Sequence, residues 1–174
     1  MAGKGLVLVN TGKGKGKTTA SLGTLIRALG QGHSAGFIQF IKSAPSGESK
    51  FLEKYAQEHP ESLHYARIGL GFLKDDPSNE DAAKAKEGME LARKLSQEKD
   101  LLVLDEINIA LDKGLIPIPE MVEFIKGKPE KLSLILTGRG CPPEIIELAN
   151  TVTEMNEIKH AYHSGIPAKK GIDF

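Results

Sequence analysis

Short, continuous apolar runs alternate along the chain with longer stretches of helical period. Residues 6–9, 35–42, 101–104 and 132–137 are apolar on nearly every position, as strands buried on both faces of a parallel sheet are. Residues 63–68 alternate in polarity, and 151–155 are short and polar, so both suit a sheet edge. Between them, 20–31 place Leu22, Leu25, Ile26 and Leu29 at spacings of three and four, with Gly30 and Gly32 as the stop. Residues 48–57 put Phe51, Leu52 and Tyr55 on one side. Ser78 or Asn79 caps a long helix running to about residue 98, with Glu80 and Asp81 suiting its first turn. A short helix is expected over 108–113. Pro117 and Pro119 open another, with Met121, Val122, Phe124 and Ile125 turned inward, and Pro142-Pro143 open one to about residue 150. The tail from Lys159 to Phe174 has no clear period.

Strands alternating with helices predict an α/β fold: a mostly parallel sheet of about six strands with helices on both faces. Ligands of such sheets bind at the carboxyl ends of the strands. No repeat or linker divides the 174 residues, so a single domain spanning 1–174 is expected. The 23 basic and 23 acidic side chains cancel, which argues against a broad nucleic-acid-binding surface. One cysteine, Cys141, excludes an internal disulfide and a cysteine-rich metal cluster, and it reads as a packing residue. No apolar run approaches the ~20 residues of a membrane span, and the start lacks a signal-peptide core, so a cytoplasmic location is expected. The five histidines share no spacing and read as surface or structural groups.

The chemistry concentrates after the first strand. Thr11-Gly12-Lys13-Gly14-Lys15-Gly16-Lys17-Thr18-Thr19 joins that strand to a helix. This is the phosphate-binding loop arrangement: backbone N–H groups cradle phosphate oxygens, Lys17 reaches the terminal phosphates, and the Thr18 hydroxyl holds a magnesium ion. The bland alternative, a flexible basic linker, lacks the flanking strand and helix. The usual first glycine is displaced by one place, since Thr11 stands where it belongs and Gly12 follows. Leu101-Leu102-Val103-Leu104-Asp105-Glu106 supplies the other half of a nucleotide site. Asp105 is the candidate for holding the metal, and Glu106 is placed to act as a base or to hydrogen-bond a ribose. Arg139, between Gly138 and Gly140, can reach phosphates. Arg27 is either solvated or a ligand contact. The loop Gly69-Leu70-Gly71-Phe72-Leu73 either folds into the core or binds a ligand.

Taken in order, the glycine-lysine loop, Gln39-Phe40-Ile41-Lys42, Leu104-Asp105-Glu106, Thr137-Gly138-Arg139-Gly140-Cys141, Lys159-His160 and Gly171-Ile172-Asp173-Phe174 resemble the P-loop-type ATP:corrinoid adenosyltransferases. The resemblance implies a three-layer P-loop NTPase-like (RecA-like) fold. It also implies transfer of the 5′-deoxyadenosyl group of ATP to the Co(I) of a reduced corrinoid, with release of triphosphate. ATP, a magnesium (or manganese) ion and the corrinoid are implied ligands. A homodimer and an electron-donating reductase or flavoprotein are implied partners. By position, Gly12 to Thr19 carry over as the phosphate cradle, with the nucleotide bound in reversed orientation. Thr18 and Asp105 carry over as metal-associated groups, Arg27 and Glu106 as adenosine or ribose contacts, and Phe72 as an aromatic that displaces the corrinoid's lower ligand. Lys13 stands where the family often has Asn, and Lys74 where it has Trp. A longer leading segment found in some relatives is expected to be lacking. The rival readings are a P-loop ATPase or small-molecule kinase, and a non-catalytic corrinoid- or nucleotide-binding protein.

Overall fold

The computed structural model describes residues 3–71 and 77–174. Six strands form one sheet: β1 (Val7–Thr11), β2 (Ala35–Gln39), β3 (Leu63–Arg67), β4 (Leu101–Asp105), β5 (Ser133–Thr137) and β6 (Thr151–Glu154). Their spatial order is β3-β2-β4-β5-β1-β6, and the neighbours pair in parallel. The two strands expected at the edges are the edges. The central strands are apolar because each is covered twice.

One face carries α1 (Lys17–Gly30) and α2 (Gly47–Glu58), which pack Leu25 and Leu52 against Phe37, Leu63, Val103 and Ile135. The other face carries α3 (Asn79–Glu98), α4 (Ile107–Asp112), α5 (Ile118–Gly127) and α6 (Pro143–Leu148). There Met89, Ala92, Leu111, Met121 and Ile145 close over Ile38, Leu102, Leu104 and Leu136. Sequence alternation within each strand thus feeds two separate cores.

Three expectations shift. Helix α1 starts at Lys17, not residue 20, because Gly16 takes the left-handed turn (φ 109°) that admits the helix directly after the loop. Its buried line is Lys17, Ser21 and Leu25, so Ile26 lies 61% exposed and outside the face predicted for it. In α2, Leu52 is buried but Phe51 is 58% exposed and stacks on Tyr55 along the helix surface. Helices α2 and α3 are capped by local chemistry: Ser46 and Ser49 form a reciprocal capping box on α2, as Ser78 and Asp81 do on α3.

Candidate nucleotide site

The loops after β1, β4 and β5 meet at the carboxyl edge of the sheet, as expected. The first is shaped by its glycines. Thr11 is still in β1, registered with Glu154, and its carbonyl accepts from Met155 N (2.9 Å). Gly12 is the first residue beyond the strand and turns at φ 94°. A Cβ there would sit 2.5 Å from the Met155 carbonyl oxygen, and one at Gly14 would sit 2.8 Å from it. The displaced glycine is therefore a packing requirement imposed by the chain leaving β6. Gly14 N donates to the same carbonyl (2.7 Å), which ties the loop to that segment.

Lys17, 8% exposed, folds its ammonium back onto the Gly12 and Gly14 carbonyls (2.9 and 2.7 Å). Burial holds its pKa below the usual lysine range. Glu106 opposes that shift, and Arg139 and Lys42 add to it. Lys13 and Lys15 are exposed; Lys15 forms an ion pair with Asp173 of the tail. Thr19 is exposed beside Thr18. Arg27, exposed in the last turn of α1, stands roughly 14 Å further along the helix axis than Thr18 at 1.5 Å per residue, so the fold does not bring it to this cluster within the chain.

Asp105 is fully buried and anchored on both oxygens. Its Oδ1 accepts from the Thr18 and Thr137 hydroxyls (2.8 and 2.7 Å), and its Oδ2 from Gln39 Nε2 (3.0 Å). Tyr65 donates its hydroxyl to Gln39 Oε1 (2.6 Å), which turns the amide nitrogen toward Asp105. Burial raises the Tyr65 pKa, so the phenol stays a donor. Thr137 Oγ1 also accepts from Glu106 N (2.9 Å). One hydroxyl thereby fixes both acidic residues.

Glu106 has a left-handed backbone (φ 63°), unusual for a residue with a Cβ and a mark of strain at a functional turn. Its Oε2 is buried with no hydrogen-bond partner. Burial, then the neighbouring Asp105, raises its pKa; Lys42, Lys17 and Arg139 pull against the rise. Lys42 Nζ lies 3.3 Å from Thr18 Oγ1, 3.7 Å from Asp105 Oδ2 and 4.0 Å from Glu106 Oε1. Asn108, fully buried, donates to the Gly138 carbonyl (3.2 Å). Arg139 donates to the Lys13 carbonyl (3.3 Å), linking the third loop to the first. A cavity of about 660 Å³ opens beside them, lined by Lys13, Arg139, Asn156, His160, Tyr162 and His163. Phe72 lies outside the described residues.

The fold therefore brings together Gly12 to Thr18, Asp105, Glu106 and Arg139 from the residues marked in the sequence. It adds Gln39, Lys42, Tyr65 and Thr137, to which sequence reasoning gave no role. A polar residue at the end of an otherwise apolar run was the available signal for Gln39 and Thr137. Among the described residues, no three His, Cys, Asp or Glu side chains gather as a metal site. Thr18, Asp105 and Glu106 form a sparse oxygen set of the kind magnesium uses when phosphates and water supply the remainder. Cys141 is half-buried, and burial pushes its thiol up to about 11, which suits packing and not nucleophilic attack.

A strand, a glycine loop with Lys-Thr at a helix start, and an aspartate ending β4, one strand removed across β5, define a P-loop nucleotide-binding protein. Solved structures agree on the fold. The chain is similar to the flagellar accessory protein FlaH from Methanocaldococcus jannaschii, with TM-score 0.59 and 13% identity over 87% of this chain and 71% of that one. It is also similar to the KaiC-like protein PH0186 from Pyrococcus horikoshii, with TM-score 0.54 and 18% identity over 90% and 75%. Within that class, residues 3–174 match the family ATP:corrinoid adenosyltransferase BtuR/CobO/CobP, and the chain belongs to it. A corrinoid adenosyltransferase of Pseudomonas aeruginosa is 41% identical over 98% of this chain and 84% of its own length. One of Escherichia coli K12 is 37% identical over 98% and 86%, and Salmonella typhimurium CobA is 35% identical over 98% and 86%.

Proposed function

We propose that this chain transfers the 5′-deoxyadenosyl group of ATP to the Co(I) of a reduced corrinoid. The cobalt electron pair forms the Co–C5′ bond, the C5′–O bond breaks, and its electrons leave with triphosphate. The observation that carries the reading is the conjunction of a glycine loop displaced by one position with the anchored Thr18–Asp105–Thr137 network, in a chain of this family. The nucleophile belongs to the substrate, so the protein needs no activated Ser, Cys or His. Its work is to grip a leaving group of about four negative charges and to aim C5′.

Lys17 would leave the Gly12 and Gly14 carbonyls for phosphate oxygens, which accept more strongly because they are charged. The N–H groups from Lys15 to Thr19, at the loop's end and the start of α1, together with Lys13 and Arg139, would hold the rest of the triphosphate. Glu106, with one oxygen unpartnered, suits a ribose hydroxyl. Thr18 and Asp105 would hold magnesium, which neutralises phosphate charge when bound. Arg27 remains a proposed nucleotide contact and Phe72 a proposed corrinoid contact. The reading extends to a homodimer, a reductase or flavoprotein that supplies Co(I), and a cytoplasmic location. The location is consistent with the fact that, among the described residues, no helix is long and apolar enough to cross a membrane.

An anaerobic assay with chemically reduced cobalamin tests the reading by following the cofactor spectrum and the phosphate product together. Stoichiometric triphosphate and adenosylated corrinoid are expected. ADP and phosphate formed without corrinoid would instead identify an ATPase or kinase. Phe72→Ala is expected to slow adenosylation while leaving ATP binding by calorimetry near wild type. Equal losses in both would remove Phe72 from the corrinoid site.

A further inference from the structure

Lys42 has no role in the proposed chemistry, yet it stands against both groups proposed for the metal and against Glu106 beside them. Strand β2 ends at Gln39, but Phe40 N still donates to the Asp105 carbonyl (3.0 Å), so the chain stays alongside β4 until Lys42 faces the site. The ammonium lies 3.3 Å from the Thr18 hydroxyl, 3.7 Å from Asp105 and 4.0 Å from Glu106. Two adjacent carboxyl groups, one of them fully buried, need a nearby cation. The other basic groups of the site are engaged elsewhere: Lys17 on the Gly12 and Gly14 carbonyls, and Arg139 on the Lys13 carbonyl. Among the described residues, Lys42 is the one paired within 4.0 Å of both carboxyl groups.

Resting on the reading that Thr18 and Asp105 hold the divalent ion, we propose that Lys42 is an internal counter-cation. It occupies the metal's surroundings in the nucleotide-free protein and swings onto the triphosphate when metal and nucleotide enter together. The side chain is built for such a move. It is 38% exposed, its stem has four rotatable methylenes, and it makes a single long hydrogen bond here. An ammonium and a divalent cation compete for this space, because they repel each other at such separations beside a carboxylate buried from water. The free protein therefore holds the bare ion weakly, and the ion binds better with the phosphates that offer Lys42 another partner. Release of triphosphate then draws Lys42 back and expels the metal.

The test uses Mn2+ as the probe, with free ion counted by electron paramagnetic resonance in solutions of the full chain. Without nucleotide, Lys42→Met is expected to bind Mn2+ at least about tenfold more tightly than wild type, a factor equal to ~1.4 kcal/mol of relieved repulsion. Lys42→Gln keeps a donor toward Thr18 but not the charge, and should tighten binding equally. Both variants should bind inorganic triphosphate with Mn2+ more weakly than wild type. Unchanged Mn2+ affinity in both variants, or tightening confined to Met, overturns the assignment. Asp105→Asn separates the two claims. If it weakens Mn2+–ATP binding while the Lys42 variants leave nucleotide-free affinity unchanged, Lys42 alone is misassigned. If it leaves Mn2+–ATP binding untouched, the metal reading falls and the Lys42 proposal with it.

Discussion

At the scale of single residues, Glu106 concentrates the site's tension. It combines a left-handed backbone, an unpartnered buried oxygen and a carboxyl whose pKa burial has raised. A raised carboxyl pKa means the folded state holds that proton more tightly than the unfolded chain does. The stabilisation it gives is present below the ordinary carboxylate range and is lost as pH rises through the raised folded value. Glu106→Gln is therefore expected to raise the melting temperature at pH 7–8, with the gain vanishing below about pH 4, near the ordinary glutamate pKa. The same variant should weaken ATP binding by about 10–100-fold, the worth of a hydrogen bond to a charged group. A melting temperature unchanged at every pH would show that Glu106 is not held uncomfortably. Lys17→Ala should abolish turnover, because the leaving charge loses its desolvated partner. Wild-type-like activity at saturating ATP and reduced corrinoid would contradict that role.

At the scale of elements, what was legible in the sequence was whatever local chain chemistry decides. The glycine-lysine turn, the acidic end of β4 and the arginine turn after β5 each sit at the end of an apolar run. Their convergence follows from parallel topology. The network behind them was not legible, because register across strands makes it. Gln39 lies opposite Asp105 in the β2–β4 pairing, and Tyr65 reaches Gln39 from β3, 26 residues along the chain. Periodicity does not report such cross-strand neighbours. It also grouped Ile26 with Leu25 and Phe51 with Leu52 on one side of their helices, whereas both Ile26 and Phe51 face water. Thr137→Val tests the network directly. It keeps the shape but removes the donor to Asp105 and the acceptor for Glu106 N. A stability loss of about 1–3 kcal/mol is expected by denaturant unfolding, with weakened Mg2+–ATP binding. Gly14→Ala should cost more in ATP affinity than in stability, since its Cβ would press the Met155 carbonyl out of the loop wall. Full nucleotide affinity in that variant would show that the loop shape is not what binds.

At the scale of the whole molecule, the sheet separates two cores, and the site sits on their shared rim. The tail completes that rim. Its Asp173 meets Lys15, and His160 and Tyr162 help to line the cavity beside Arg139. The position of β1 has a further consequence, in time. The first strand of the chain lies between β5 and β6, so its hydrogen-bond partners belong to the last third of the sequence. During synthesis at about 5–20 residues per second, the phosphate loop would wait on the order of ten seconds for Leu134 and Met155 to appear. Such long-range pairing is also slow in refolding. Pulsed hydrogen exchange during refolding should protect the Val9 amide no earlier than that of Leu136. Earlier protection of Val9 would mean the loop finds its shape without its neighbours. On this account the nascent chain does not bind nucleotide until β5 and β6 have been made, so a copy stalled before them would not tie up ATP.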